Sequence, residues 1–172
     1  MRPTGPALPR PALCYVDRMK LFAIFLLAAG FAMPAGDPVG FYQWKGSDLK
    51  AMATNLAPKL PAAGFVGESM AKLGHYSFAA NLRRVSGGAE IHKTNTDVFV
   101  VESGEATLIV GGAIPDAKES SPNEIKGTSI VDGVEKKLGA GDVVTIAAGT
   151  PHQLKLEPGK EFAYLVIKIA KP

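Results

Sequence analysis

From His75 onward, apolar and polar residues alternate with a period of two, and glycines interrupt the pattern about every 8 to 12 residues. Such alternation is typical of strands that bury one face, and glycine marks the turns between them. No strand is followed by a convincing crossover helix, which disfavours a parallel α/β fold. The pattern predicts an all-β sandwich or barrel, with strands over residues 76–85, 89–94, 97–102, 105–110, 127–131, 134–138, 143–147, 153–156 and 162–169.

Two dipeptides between these strands have the composition of tight turns. Asp132-Gly133 lies between two short apolar segments and predicts a two-residue hairpin that needs positive φ. Ser103-Gly104 joins two apolar strands and predicts a second hairpin. Residues 111–126 contain prolines, serines and scattered charges, which indicates a long solvated loop or an excursion hairpin.

One short helix is predicted ahead of the strands. Ser47 is a plausible N-cap, and Asp48 follows it in the first turn. Apolar residues recur at helical spacing until Pro58 ends the pattern; they are Leu49, Met52, Ala53 and Leu56. Glycines and small residues dominate residues 61–72, which we interpret as a loop with at most a helical turn.

An uncharged apolar run of 13 residues, 21–33, follows Lys20 near the N-terminus. It is too short to span a bilayer, which takes about 20 residues. A basic flank in front and small residues behind form the layout of a secretory signal, and the lack of an amphipathic period disfavours a buried helix. We predict a signal peptide over residues 19–35, cleaved after Ala32 or Ala35, and a periplasmic or secreted protein.

Residues 1–18 precede this signal and contain four prolines without any structural period. We interpret them as a gene-model extension, with Met19 as the true start. The chain then divides into a leader over residues 1–35, an N-terminal segment with the short helix over 36–73, and a β domain over 74–172.

The basic character of the chain belongs to the leader. Four of the 19 basic residues and one of the 16 acidic residues lie there, which leaves 15 of each sign in the remainder. The pairs Arg83-Arg84 and Lys136-Lys137 are too small for a nucleic-acid footprint. The single cysteine, Cys14, also lies in the leader, so a disulfide framework and a cysteine-based zinc cluster are excluded.

Carboxylate and imidazole side chains occur on several predicted strands. Glu90 and His92 are two residues apart, so they face the same side of one strand. Asp97 opens the next strand, and His152 follows the sharp turn at 149–151. Two imidazoles and a carboxylate from separate strands are the ligands of a divalent metal site with open positions, and a second carboxylate would give four ligands.

The spacing of these residues resembles the two motifs of the cupin superfamily over residues 79–169. In the first motif, Glu90 takes the place of the first histidine, His92 that of the second and Asp97 that of the glutamate. Gly104 closes the motif six residues later. In the second motif, the matching residues are Gly141, Gly149 and His152.

This sequence also departs from the cupin pattern. Arg84 and Ala147 stand where the motifs have a glycine and a proline, and Leu156 replaces an asparagine. Glutamate for histidine and aspartate for glutamate make the set harder than the usual three-histidine site, and it would suit Mn, Fe or Zn. The resemblance implies a small double-stranded β-helix, the cupin jelly roll, with a metal bound by His92, Asp97, His152 and Glu90.

Structural alternatives exist for several of these residues. Asp97 could cap the bend before it, and Glu90 could pair with Lys93 or Arg84 at the barrel mouth. His75 has no matching partner and is expected to be an ordinary surface or hydrogen-bonded histidine. Three aromatic residues at alternate strand positions are either core or, as the resemblance implies, cavity-lining: Phe78, Phe99 and Tyr164.

Two functions follow as hypotheses. The first is an exported metal-binding cupin that takes a small molecule in the barrel, with isomerase, dioxygenase or lyase chemistry if it is an enzyme. The second is a non-catalytic small-molecule-binding module without an obligatory metal. Analogy with similar folds also suggests a homodimer, and neither nucleic acid nor a stable membrane span is expected.

Overall fold

The computed structural model describes residues 37–171. The predicted signal peptide, its cleavage sites, the proposed extension over 1–18 and Cys14 lie outside these residues. The described residues form α1 (Gly46–Lys50), α2 (Met52–Leu56), a 3₁₀ turn (Ala57–Lys59) and ten strands. The strands are β1 (Phe65–Leu73), β2 (Tyr76–Arg83), β3 (Ala89–His92), β4 (Asn95–Val110), β5 (Lys118–Ser121), β6 (Glu124–Gly127), β7 (Val134–Gly139), β8 (Val143–Ile146), β9 (His152–Lys155) and β10 (Phe162–Ala170).

Two antiparallel sheets share the long strand β4. The first sheet has the order β1-β2-β10-β4-β8, and the second has the order β7-β4-β9-β3-β6-β5. Their inner faces enclose an apolar interior, in which Phe99 and Val101 of β4 meet Phe162 and Tyr164 of β10. The predicted all-β class and its cupin jelly roll are confirmed.

Strand β4 passes from the first sheet into the second at Gly104. Residues before Gly104 pair with β10 and β8, and residues after it pair with β7 and β9. Gly104 has φ +80°, and a Cβ built there would lie 1.9 Å from the carbonyl oxygen of Glu161. The predicted hairpin at Ser103-Gly104 is therefore wrong: this glycine bends one continuous strand where the β10 backbone crosses closely.

The two short helices cover the outer face of the first sheet. Met52 and Leu56 pack there against Leu82, Ala163 and Leu165, as the helical spacing predicts. Strand β10 is consequently buried on both faces. Ser47 is not the N-cap, because Lys45 holds that position and its backbone N–H donates to Asp48 Oδ2 at 3.2 Å. None of the helices described is long and apolar enough to cross a membrane.

The loop predicted over residues 61–72 is wrong, because Phe65–Leu73 forms edge strand β1. This strand has no clear alternation of its own, and a register irregularity falls between Ser69 and Ala71. Its backbone hydrogen bonds to β2 hold it in the sheet. The extended conformation of β1 therefore depends on its pairing with β2, which follows the turn at Gly74.

Residues 111–126 contain the β5–β6 hairpin, which confirms the excursion-hairpin alternative. The strand predicted over 127–131 is wrong, because β6 ends at Gly127 and only Val131 bridges to Ala113. The predicted hairpin at Asp132-Gly133 does not form either, although Asp132 has φ 57°. Val134 instead pairs with Val110 of β4, which supplies a longer partner for β7.

Candidate metal centre

Four side chains predicted as ligands meet inside the barrel. Glu90 and His152 are directly paired across β3 and β9, with Glu90 Oε1 3.4 Å from His152 Nε2. His92 Nε2 lies 3.3 Å from Asp97 Oδ2 and 3.9 Å from Glu90 Oε1. His152 Nε2 lies 4.0 Å from Asp97 Oδ2. The structure therefore brings together all four residues that the sequence pattern singles out.

The cluster is largely removed from solvent. Asp97 and His152 are each 2% exposed, and His92 is 7% exposed. Glu90 is more accessible, with a third of its side chain exposed. The cluster thus has a buried side formed by His92, Asp97 and His152 and a solvent-accessible side formed by Glu90.

The orientation of His152 is fixed from behind. Its Nδ1 lies 3.0 Å from the carbonyl oxygen of Thr150, so Nδ1 carries the proton that it donates to this acceptor. The Nε2 lone pair then points into the cluster, where it is buried and has no hydrogen-bond partner. Glu90 Oε1, at 3.4 Å, is at the outer limit of a hydrogen bond. A histidine held through Nδ1 by a carbonyl, with Nε2 free, is the usual arrangement of a metal ligand.

Lys168 joins the cluster, and the sequence analysis missed it. Its Nζ lies 2.8 Å from His92 Nε2 and 2.9 Å from each carboxylate oxygen of Asp97. Lys168 is directly opposite Asp97 in the pairing of β10 with β4. Period-two counting from Phe162 and Tyr164 would have found it, because a lysine at the end of an inward-facing series points into the same interior.

Glu124 is a further carboxylate at the margin of the cluster. It lies opposite His92 in the pairing of β6 with β3, and its Oε1 is 3.7 Å from His92 Nδ1. Lys126 Nζ is 3.3 Å from the other oxygen of Glu124. Sequence reasoning missed this residue because strand β6 falls inside the segment read as a loop or excursion hairpin.

Electrostatics in the cluster favour charged carboxylates and a positive charge at His152. Burial alone would raise the pKa of Glu90 and Asp97, but His152 beside Glu90, and His92 with Lys168 beside Asp97, outweigh burial and lower both. Burial alone would lower the pKa of His152, but Glu90 and the Thr150 carbonyl outweigh it and raise that pKa. The cluster therefore attracts a cation, either a proton or a metal ion.

Acid is expected to destabilise the metal-free protein through these carboxylates. A pKa lowered on folding contributes stability that is complete above the unfolded value, 3.8 for aspartate and 4.5 for glutamate, and is lost as the pH falls through the folded value. The urea midpoint in EDTA should therefore fall steeply below about pH 4, and less steeply in Asp97→Asn. Identical pH profiles for the two proteins would contradict this.

The structure contradicts the non-ligand roles considered for Glu90 and Asp97. Glu90 pairs with neither cation considered for it, because Lys93 Nζ contacts Glu119 at 3.1 Å and Arg84 contacts Glu161 at 2.8 Å. Asp97 lies within β4 and is buried, so it does not cap a turn. His75 is exposed, at the turn between β1 and β2, as expected of a histidine outside the site.

The three aromatic residues predicted as core or cavity lining take different positions. Phe99 lies beside His152, with ring centroids 6.5 Å apart, and Tyr164 packs on Phe99 at 5.0 Å. Phe78 instead belongs to the outer apolar cluster and packs 5.0 Å from Trp44, so it does not line the interior. It shares its face of β2 with Ala80 and Leu82, which contact the helices.

The clefts on the barrel differ in whether they border the cluster. One of about 240 Å³ borders Lys168 and is also lined by Lys72, Ser77 and Asn95. Lys168 is the residue that this cleft shares with the cluster. A larger cleft of about 410 Å³ lies elsewhere, between Glu105, Lys137 and Lys160, and does not include the cluster residues.

The donor set suits a divalent ion. One ligand atom from each of Glu90, His92 and His152 lies within 4.8 Å of the other two, and Asp97 adds a carboxylate next to His92. A metal ion binds neutral imidazoles. In that state the two carboxylates and the ammonium of Lys168 leave a net negative charge in the cluster. Imidazole and carboxylate ligands together are typical of Mn, Fe and Zn sites.

No family model matches the chain, and no curated protein matches it. Among solved structures, it is similar to a protein with a double-stranded β-helix domain from Klebsiella pneumoniae, at 14% identity over 64% of this chain and 80% of that one, with a TM-score of 0.48. It is also similar to a cupin protein from Bacteroides fragilis, at 17% identity over 64% and 79%, with a TM-score of 0.43.

A third similar structure is the DMSP lyase DddQ from Ruegeria pomeroyi. The identity is 16% over 63% of this chain, and the TM-score is 0.44. The chain spans about half of that lyase, since the match covers 48% of it. Likeness at this level does not transfer a substrate or a reaction to this chain.

Proposed function

We propose that the cluster of Glu90, His92, Asp97 and His152 binds one divalent metal ion, and that the protein is a metal-binding cupin that takes a small molecule at the mouth of the barrel. The observation that carries this proposal is the Nε2 of His152. This atom is buried, oriented by the bond from Nδ1 to Thr150, and unpartnered in a pocket of carboxylates. While the imidazole is neutral, this buried lone pair faces carboxylate oxygens, and a cation completes it, either a proton shared with Glu90 or a metal ion.

The four ligands differ in what they contribute. His92, His152 and Asp97 are buried and held by three different strands, so they define one point in the interior. Glu90 is the most exposed of the four, and it stands as a fourth ligand or as a proton acceptor for a molecule at the mouth. Phe99 and Tyr164, each 3% exposed, pack beside His152 on its apolar side.

The chemistry would depend on the ion. Mn, Fe or Zn at this position would polarise an oxygen atom of a substrate or activate water or dioxygen, as isomerases, lyases and dioxygenases require. The chain itself would supply the orientation of that substrate and, through Glu90, a group that accepts or returns a proton. Export of the protein and assembly into a homodimer remain further parts of this proposal.

Loss of one histidine of the cluster is expected to weaken metal binding. His152→Ala and His92→Ala each remove a ligand that no further imidazole in the cluster can replace, so affinity for Mn²⁺ or Zn²⁺ should fall by more than about tenfold. Isothermal titration calorimetry and elemental analysis of purified protein would measure this, with about one equivalent of metal expected in the wild type. The matched control is His75→Ala, which removes an exposed histidine that lines the cleft beside Lys168 but offers no ligand atom to the cluster.

A wild-type protein that takes up no Mn, Fe or Zn under these conditions would contradict the proposed metal site. Equal metal content in His75→Ala and His152→Ala would contradict the assignment of His152. Both results are readable without knowledge of a substrate.

A specific observation also favours the second function, a small-molecule-binding module without an obligatory metal. The ammonium of Lys168 already partners Asp97 and His92, so the cluster has an internal cation. A thermal-shift screen of small molecules in EDTA, repeated with Mn²⁺, separates the two functions. Ligands that stabilise the protein equally in both conditions would favour the module, and ligands that act only with the ion would favour the metal centre.

A further inference from the structure

The ammonium group of Lys168 stands among the same atoms that would bind the metal ion. It lies 2.9 Å from both carboxylate oxygens of Asp97 and 2.8 Å from His92 Nε2. Those distances are ordinary for hydrogen bonds from an ammonium donor. Lys168 therefore uses the lone pairs that Asp97 and His92 would offer to the ion.

A metal ion and this ammonium cannot share the position. An ion bound to Asp97 and His92 would be about 2.0–2.2 Å from each ligand atom. The Nζ of Lys168 is within hydrogen-bond distance of these same atoms, so it would face the ion at close range. Two positive charges a few ångströms apart in a partly buried site repel strongly. The ammonium of Lys168 and the metal ion therefore exclude each other from the position between Asp97 and His92.

The Lys168 side chain has room to move, whereas the Asp97 carboxylate is held in place. A third of the Lys168 side chain is exposed, and it borders the cleft of about 240 Å³ that opens to solvent. The side chain of Asp97 is 2% exposed, and its backbone is paired on both sides, with β10 and with β8. Movement of a flexible lysine into the cleft is therefore the path by which the site would open.

We propose that Lys168 is an intramolecular competitor for the metal position: its ammonium occupies Asp97 and His92 in the metal-free protein and is displaced into the cleft when a divalent ion binds. This inference rests on the proposed metal site. Its consequence is a site whose affinity for metal is weaker than its ligands alone would give, because each binding event has to break the contacts of Lys168. Lys168 is thus a residue that sets metal affinity without being a ligand.

The test is a comparison of metal affinities by isothermal titration calorimetry with Mn²⁺ and with Zn²⁺. Lys168→Met removes the competing charge at similar length, and Lys168→Gln does the same while it keeps a donor for Asp97. Both variants are expected to bind the ion at least about tenfold more tightly than the wild type. Lys171→Met is the matched control, since it removes an equal charge from an exposed position three residues away, and its affinity should equal that of the wild type.

The outcomes separate the competitor from the metal site itself. Equal or weaker binding by both Lys168 variants, with the wild type still binding, would overturn the competition and leave the metal site standing. Binding by the variants but not by the wild type would support the competition and overturn the metal-binding function of the natural protein. An absence of binding in all proteins would overturn both. Lys168→Gln keeps the test valid if Lys168→Met folds poorly.

Discussion

Lys168→Met is expected to lower the free energy of unfolding of the metal-free protein by about 3 kcal/mol. The variant leaves Asp97, whose side chain is 2% exposed, without the ammonium that bonds both of its oxygens. His92 remains beside Asp97 but already faces two other carboxylates, Glu90 and Glu124. A buried carboxylate that loses its cation keeps the cost of desolvation without the compensating attraction.

Substitution of the other partner, Asp97, should lower the free energy of unfolding less. Asp97→Asn removes the buried charge, and Lys168 can then extend into the cleft, because a third of its side chain is already exposed. The double variant is expected to be more stable than Lys168→Met alone, since no buried charge is left without a partner. Urea unfolding in EDTA at pH 7 gives the free energy of unfolding of the wild type, the two single variants and the double variant. Lys171→Met is the charge control. Strictly additive effects would show that Asp97 and Lys168 do not interact.

Gly104→Ala is expected to cost more than about 3 kcal/mol, against about 1 kcal/mol for Gly141→Ala. Both glycines have positive φ, +80° and +90°, so both variants carry the strain of a side chain in that region. Only at Gly104 would the new Cβ meet backbone, 1.9 Å from the oxygen of Glu161 and 3.1 Å from the Cα of Phe162. At Gly141 no atom lies within 4 Å.

The difference between these two variants isolates the close approach of β4 and β10. Relief of the contact would require those strands to separate where β4 changes sheets, close to the apolar interior around Phe162. Thermal and urea unfolding of the two variants measure the difference directly. Equal destabilisation would mean that φ alone explains the glycine at position 104.

The parts of the fold that were predictable are those whose signal is local. Strands β7, β8, β9 and β10 lie within one residue of the ranges that the sequence pattern predicts. The helical region buries Met52 and Leu56, the face that their spacing predicts. Strand β1 was not predictable, because Gly67 and Ser69 carry no strand signal and its order comes from pairing with β2. The hairpin at Ser103-Gly104 failed because positive φ serves a bend as well as a turn.

The candidate site divides in the same way. Glu90 and His92 share a face by simple period-two counting, and Asp97 and His152 were found by their spacing to these residues in the cupin motifs. Their convergence within about 4 Å is a finding of the structure. Period-two counting along β10 places Lys168 on the inward face. Its contact with His92, 76 residues away, depends on the pairing of β10 with β4, which neither strand predicts alone.

The position of β10 has a consequence for the order of folding. In the first sheet this strand lies between β2 and β4, and it is the last of the described strands along the chain. Until β10 joins the sheet, no backbone hydrogen bonds connect the pair β1-β2 with the pair β4-β8. Contacts of such long sequence separation make folding slow, so we expect the apolar interior and the charged cluster to form together, in the final step of folding.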